Sequence, residues 1–144
     1  MRVLLDTSII VEIDRHNEII LNLLKKLTEK DIEVVISTVT ISEILTGSYL
    51  KKDFKKSVLE AKKILSQFLW FDLDGEIAEK TAQLLSYLIL EGKPIEYQDV
   101  VIAATFFVSH SDYILTLNKD HFKIFPEIKN KVFNPEEFIE KIKF

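Results

Sequence analysis

The chain has 144 residues, of which 47% are apolar and 29% charged, with a formal net charge of −4 and no cysteine. A chain of this length can bury roughly 70% of its extended surface, so it can build a core without disulfides or a structural metal. The composition is that of an ordinary globular protein and excludes the disordered, fibrous and disulfide-rich classes.

Three further classes are disfavoured by single features of the sequence. Without cysteine there is no thiolate metal site, and the three histidines show no His-x-x-x-His pairing, which argues against a zinc enzyme. The N-terminal apolar run stops at Asp6, far short of a signal-peptide core. The longest uncharged apolar run, Val100 to Val108, is about half of what a membrane span needs. We therefore expect a cytoplasmic protein without a membrane partner.

The first half of the chain alternates short apolar runs with helical patterns. The predicted elements, in chain order, are a buried strand over 3–5, a helix over 9–30 that is broken near residues 16–17, a strand over 32–36, and a helix over 37–47. Gly47 is the expected C-cap of that last helix, because glycine favours the position that follows a helix.

A lysine-rich segment follows and is predicted to be an amphipathic helix over 51–69. Its inward face is predicted from the helical spacing of Phe54, Val58, Ala61, Leu65 and Phe68. Residues 51–63 include six lysines against Asp53 and Glu60, a local charge of +4, so the remainder sums to −8. Such a patch is typical of a phosphate-contacting surface, but a merely solvated helix face explains it as well.

The second half continues the alternation. The predicted elements are a strand over 70–73, a helix over 75–91 that closes at Gly92 with Pro94 just beyond, a helix opened by Asp99, a strand over 112–117, a strand over 132–133, and a terminal helix opened by Asn134, Pro135 and Glu137. Strands that alternate with helices predict parallel pairing. The fold class is therefore α/β: a three-layer domain over 1–144 whose central parallel sheet of about four to five strands is flanked by helices.

Several acidic side chains are predicted to lie near one edge of this sheet. Asp6 ends the first strand, Glu43 lies one turn into the helix after the second, and Asp99 opens a later helix. Asn118 and Asp120 follow the strand over 112–117. Ligands of parallel α/β sheets bind where the strands end and helices begin, so these groups can converge there.

Convergence of carboxylates is costly without a cation. Two of them about 5 Å apart repel by roughly 3 kcal/mol at an effective dielectric near 20, and three cost on the order of 10 kcal/mol. A divalent ion or protonation relieves that repulsion, and hard cations such as Mg²⁺ take an oxygen-only ligand set. Each acid also has a structural interpretation that spacing leaves open. Asp6 could be an N-cap, Glu43 could close a capping box with Thr40, and Asp99 could complement a helix dipole.

Four segments, taken together, resemble the motifs of the PIN-domain family, in particular the VapC-like toxins of toxin–antitoxin pairs. The segments are Leu4–Ser8 (LLDTS), Val39–Gly47 (VTISEILTG), Tyr97–Thr105 (YQDVVIAAT) and Ile114–Phe122 (ILTLNKDHF). They occur in order across nearly the whole chain, which is far more specific than a lone Asp-Thr-Ser.

The resemblance implies a metal-dependent endoribonuclease. Asp6, Glu43 and Asp99 match the family's three leading acids and are the expected ligands of one or two Mg²⁺ or Mn²⁺ ions. Such enzymes hydrolyse an RNA phosphodiester with a metal-activated water, leaving a 5′-phosphate and a 3′-hydroxyl. Lys51, Lys52, Lys55 and Lys56 are then the candidate contacts to RNA phosphates. The relatives imply a small antitoxin partner and a homodimer, for which apolar residues on the second and third helices are candidate interfaces.

The fourth motif departs from the family pattern in two places. Asn118 stands where many relatives have Asp, so it is a candidate catalytic residue that adds no negative charge. Leu117 stands where a basic residue is common. Asp120 is either an auxiliary ligand or a turn residue. Thr7 and Thr116 are auxiliary candidates whose hydroxyls could orient ligands, whereas His121 is expected to pack beside Phe122 rather than to act in catalysis.

Two rival functions follow from these departures and from the first motif. A weakened PIN domain could bind RNA or a protein without cutting it. A phosphate-transfer enzyme could also begin with a strand that ends in Asp-Thr, but the dehalogenase-like class needs a second Asp where Ser8 stands. Phosphate-binding loops also need glycines, and the chain has only three.

Overall fold

The computed structural model describes residues 1–93 and 96–143, and Pro94, which was expected just beyond the fifth helix, lies outside them. The strands are β1 (Arg2–Leu5), β2 (Glu33–Ser37), β3 (Leu69–Phe71), β4 (Tyr113–Leu115) and β5 (Val132–Phe133). The helices are α1 (Thr7–Asp14), α2 (Glu18–Glu29), α3 (Thr38–Tyr49), α4 (Phe54–Leu65), α5 (Gly75–Leu90), α6 (Tyr97–Val108), α7 (Asp120–Lys123) and α8 (Pro135–Lys141). A short 3₁₀ turn covers Lys129–Lys131.

The five strands form one parallel sheet in the order β3-β2-β1-β4-β5. The central strand is β1, in which Leu4 is in register with Val35 on one side and with Ile114 on the other. The chain order changes direction at β1, because β2 and β3 extend the sheet on one side and β4 and β5 on the other. The predicted α/β fold with a parallel sheet of five strands is confirmed.

Two apolar cores lie on the two faces of the sheet, because successive side chains of a strand point in opposite directions. Val3 and Leu5 face a core formed with α1, α2 and α8, whereas Leu4 faces a core formed with α5, α6 and α7. Helix α6 is buried at every position from 100 to 106. It therefore runs through the interior of the protein and holds its first turn, which carries Asp99, at a defined place.

The helix boundaries that depend on capping chemistry agree well with the sequence. The predicted break near residues 16–17 is confirmed, and the Asn17 side chain accepts hydrogen bonds from the backbone of Ile19 and Ile20 to cap α2. Gly92 has a φ of +63° and follows α5 as predicted. The capping box of Asn134 and Glu137, with Pro135 at the first turn, opens α8.

Three predicted helix boundaries and one predicted helix face are wrong. Gly47 does not end α3, which continues to Tyr49 because Ser48 is buried and tertiary packing outweighs the preference of glycine. Helix α4 covers only Phe54–Leu65, since Leu69 joins β3, and Phe54 lies exposed in its first turn beside the Tyr49 ring instead of facing inward. Helix α6 begins at Tyr97, so Asp99 lies within its first turn instead of opening it.

In the part of the chain that the structure describes, none of the helices has the length and apolar character that crossing a membrane would require.

Replacement of Leu4 by alanine is expected to lower the free energy of unfolding by about 2–5 kcal/mol, because the side chain is fully buried in the core formed with α5, α6 and α7 and its loss leaves a cavity. Leu90→Ala is the matched control, since that side chain is 87% exposed. It should change the free energy by less than about 0.5 kcal/mol in the same urea titration. Equal effects of the two substitutions would contradict this assignment of the core.

Candidate active site

Asp6 follows β1 directly and is held by its neighbours on the sheet edge. Its backbone N–H donates to the carbonyl of Leu115 on β4 at 3.0 Å. Its Oδ2 accepts hydrogen bonds from the hydroxyls of Ser8 at 2.7 Å and Thr116 at 2.8 Å. Asp6 is the N-cap residue of α1, yet its side chain makes no capping hydrogen bond. Capping therefore does not explain this carboxylate, which is only 4% exposed.

Glu43 lies in the second turn of α3 and points toward the start of α1. The Thr7 hydroxyl donates to its Oε1 at 2.8 Å and also lies 2.9 Å from the Thr40 hydroxyl. Helix α3 is capped by Ser37 instead of Thr40, so the capping box considered for Thr40 and Glu43 does not form. The contact with Thr7 instead brings Glu43 to the end of β1.

Asp99 projects from the first turn of α6 and is half-buried. Its Oδ2 lies 2.9 Å from Nδ1 of His121, which belongs to the short helix α7. The expectation that His121 packs beside Phe122 was wrong. Phe122 is fully buried, whereas the ring of its neighbour is 51% exposed and turned toward Asp99. Successive residues of a helix point in different directions, so only one of the two can enter the core.

The three carboxylates are close enough to repel one another. Burial raises the pKa of Glu43, and the charges of Asp6 and Asp99 raise it further, although the hydrogen bond from Thr7 acts in the opposite direction. Burial and the charge of Asp6 likewise raise the pKa of Asp99, and His121 partly offsets this. The sheet edge therefore gathers negative charge that the protein alone does not neutralise.

The donor set suits a hard cation. It consists of carboxylate oxygens without sulfur, which is the ligand type that Mg²⁺ and Mn²⁺ take. Within residues 1–93 and 96–143, no three acidic or histidine side chains already form a closed metal cage. Three carboxylates brought to ligand separation without a cation would cost on the order of 10 kcal/mol. The residues fit such an ion by the chemistry of their donor atoms.

The fourth motif follows β4 and contacts the site through Thr116. This fully buried residue donates to Asp6, and its hydroxyl oxygen accepts the backbone N–H of Asn118 at 2.9 Å. The backbone N–H of Leu117 donates to the Ser8 hydroxyl at 3.0 Å. Asn118 and Asp120 are both exposed, and Asp120 begins α7, a helix that the sequence did not predict.

Sequence reasoning missed three residues of this site. Ser8 links Asp6 to the turn after β4, and His121 contacts Asp99. Glu96 is the N-cap residue of α6, and its charge raises the pKa of both Glu43 and Asp99. Two of them could have been found from their positions in the sequence, since Ser8 lies two residues after Asp6 and Glu96 lies one helical turn before Asp99.

The lysine segment reaches the site through one cavity. This cavity of about 500 Å³ is lined at one end by Thr7 and Glu43 and at the other by Lys51. Ile10 and Ile44 form part of its apolar wall. Lys51 forms an ion pair with Asp14 at 3.2 Å. Lys52, Lys55 and Lys56 are exposed around the start of α4 and do not line the cavity.

Glu43→Gln is expected to stabilise the metal-free protein at neutral pH. A folded-state pKa above the usual value means that ionisation of Glu43 opposes folding. The contribution of Glu43 to folding stability is therefore most favourable at low pH, where its side chain is protonated. It is lost as the pH rises through the raised pKa. The amide oxygen of glutamine can still accept the Thr7 hydroxyl. We expect a gain of at most about 1 kcal/mol, since water screens a half-exposed carboxylate.

The gain should shrink as the pH falls toward the usual glutamate pKa of about 4.3, where the wild-type side chain is protonated in the folded state. Urea unfolding at several pH values with a chelator present measures this, and Glu79→Gln on the exposed face of α5 is the control. A Glu43→Gln protein that is no more stable than wild type at neutral pH would refute the repulsion.

The sequence and the fold were compared with those of known proteins. The PIN-domain profile matches residues 3–128. A search of curated proteins finds no significant match. Among solved structures, FitAcB from Neisseria gonorrhoeae is similar at 30% identity, covering 93% of this chain and 98% of that one with a TM-score of 0.74.

Two VapBC structures share the fold at lower identity. VapBC2 from Rickettsia felis, bound to a DNA fragment from its promoter, has a TM-score of 0.83 at 24% identity over 93% of this chain and 98% of that one. DNA-bound VapBC from Salmonella typhimurium has a TM-score of 0.82 at 23% identity, with 94% and 98% covered. The profile match over most of the chain, together with the FitAcB likeness, shows that this chain belongs to the PIN-domain family.

Proposed function

We propose that this protein is a Mg²⁺- or Mn²⁺-dependent endoribonuclease, a single nuclease domain over 1–144, and the toxin of a cytoplasmic toxin–antitoxin pair. PIN domains are generally divalent-metal-dependent nucleases, and the VapBC proteins that share this fold form a family of toxin–antitoxin systems, which supports a toxin nuclease role. The observation that carries the proposal is the mutual repulsion of Asp6, Glu43 and Asp99 at the carboxyl edge of the sheet.

The proposed metal ligands are Asp6, Glu43 and Asp99, with Asn118 as a further catalytic candidate. When bound, a divalent ion supplies the Lewis acidity that activates water and offsets charge on the scissile phosphate. Thr116 and Thr7 would hold the Asp6 and Glu43 carboxylates in their orientations through the hydrogen bonds that they donate. Asp120 is exposed at the start of α7 and remains an auxiliary candidate.

The proposed RNA path leads from the acids toward the lysine segment. The cavity lined by both Glu43 and Lys51 supports this path, because it joins the acids to the first of the lysines, which pairs there with Asp14. We infer that Lys51, Lys52, Lys55 and Lys56 contact backbone phosphates. The ion pairs of Lys51 with Asp14 and of Lys56 with Glu60 would exchange for phosphate contacts, since exposed ion pairs are weak.

The proposed protein partners are a small antitoxin and a second copy of the chain. The VapBC proteins that share this fold form a family of toxin–antitoxin systems, which supports the antitoxin. Exposed apolar side chains are available for such contacts: Ile19 and Leu21 on α2, Tyr49 on α3, and Leu50, which is 81% exposed directly after α3.

Asp6→Asn and Asp99→Asn are each expected to lower the rate of single-stranded RNA cleavage by at least about 100-fold. Loss of a direct ligand should cost no less than loss of a residue that supports a ligand. The measurement is cleavage with Mg²⁺ or Mn²⁺, stopped by chelator, alongside thermal unfolding. Asp72→Asn is the matched control, because Asp72 directly follows β3 at the same sheet edge and is exposed.

Wild-type activity in either site variant would refute the assignment of that residue. A wild-type protein that binds RNA but never cuts it with metal present would favour the alternative function, a non-cleaving binding module. Asn118 favours that alternative, because its neutral amide adds no negative charge with which to hold a second ion.

The double substitution Lys52→Ala and Lys55→Ala is expected to lower both the affinity for RNA and the dependence of that affinity on salt. Each lost phosphate contact should lower the slope of log K against log salt by about 0.7 for a single strand. Binding is measured in the Asp6→Asn background to prevent cleavage, with Lys25→Ala combined with Lys129→Ala as the control of equal charge. An unchanged slope would show that the lysine segment is only a solvated helix face.

A further inference from the structure

His121 contacts the site from an element that the fold positions firmly. Helix α7 is only four residues long, but its Phe122 is fully buried in the core beside α6. The backbone N–H groups of His121 and Phe122 donate to the carbonyls of Asn118 and Lys119 at 3.1 Å and 3.0 Å. These contacts fix the backbone that carries the imidazole, whose Nδ1 reaches Asp99 Oδ2 at 2.9 Å.

The contact leaves the two oxygens of Asp99 with different roles. Oδ2 lies against the imidazole Nδ1, so Oδ1 is the oxygen that this contact leaves unoccupied. The Asp6 carboxylate is arranged in the same way, since Ser8 and Thr116 both donate to its Oδ2. Donors that occupy one oxygen of a ligating carboxylate restrict its rotation and orient the other oxygen.

We propose that His121 is a positioning residue, which orients the Asp99 carboxylate for the divalent ion by donating from Nδ1. This inference rests on the proposed function, because it assumes that Asp99 ligates that ion. It assigns His121 a role through Asp99 and requires no proton transfer by the imidazole. The role depends on a donor at the Nδ1 position and on nothing else in the ring.

The test compares three substitutions that separate the two ring nitrogens. In His121→Asn the side-chain amide N–H lies one bond from Cγ, where Nδ1 is in histidine. In His121→Gln the amide nitrogen instead matches Nε2, and His121→Ala removes both donors. Lys123→Ala, at the exposed last position of α7, is the control.

The principal readout is Mn²⁺ affinity by calorimetry, which does not depend on turnover. We expect His121→Ala and His121→Gln to bind Mn²⁺ about 10–100-fold more weakly, and His121→Asn to stay within about 3-fold of wild type. The melting temperature of the metal-free protein should change little in all three, because the ring is 51% exposed. RNA cleavage at subsaturating metal should follow the same order.

Two results would overturn the proposal. Unchanged Mn²⁺ affinity in His121→Ala, with the affinity abolished in Asp99→Asn, would refute the positioning role and leave the metal site intact. An asparagine variant as weak as the alanine variant would show that an Nδ1 donor is not what matters. If the wild type binds no Mn²⁺, the proposed function and this inference both fail. The failure of this inference alone is recognised by a wild type that binds Mn²⁺ and a His121→Ala protein that binds it equally well.

Discussion

The structure depends on one electrostatic constraint, the crowding of three carboxylates at the end of a buried parallel strand. Asp6 follows the central strand β1, and its backbone is tied to β4 by the hydrogen bond to Leu115. The hydroxyls of Ser8 and Thr116 hold its side chain in place, on the side of Glu43 and Asp99. The repulsion therefore remains as long as the protein stays folded, and it raises the pKa of both other acids.

The surrounding fold tolerates this repulsion because rigid, apolar elements carry each acid. Leu4 and Leu5 are fully buried immediately before Asp6, and α6 is buried directly after Asp99. Hydroxyl groups supply local compensation: Ser8 and Thr116 donate to Asp6, and Thr7 donates to Glu43. A hydroxyl group satisfies a carboxylate oxygen without cancelling its charge, so the cleft keeps its attraction for a cation.

The sequence was sufficient to predict the fold class and the approach of the three acids. Periodicity identified the strands, and the rule for carboxyl ends placed Asp6 near Glu43 because both follow neighbouring strands. Capping residues such as Asn17 and Asn134 marked helix starts correctly. What failed were features determined by tertiary packing: α3 continues through Gly47, and Phe54 lies exposed.

The site residues that the sequence did not predict also depend on tertiary structure. Ser8 and His121 act through hydrogen bonds between segments more than 20 residues apart, which no local pattern encodes. Glu96 acts through its charge from the N-cap position of α6. An acidic residue is common at the start of a helix, so its presence there does not indicate a functional site.

The most direct measurement is the response of backbone amide NMR signals to substoichiometric Mn²⁺, whose paramagnetism broadens nearby resonances. If the three acids share one ion, the amides of Thr7, Glu43 and Val100 should broaden together and first, while that of Asp31, which precedes β2 at the opposite edge of the sheet, should broaden last. Broadening centred on another acidic patch, or broadening near only one of the three acids, would contradict a shared metal site.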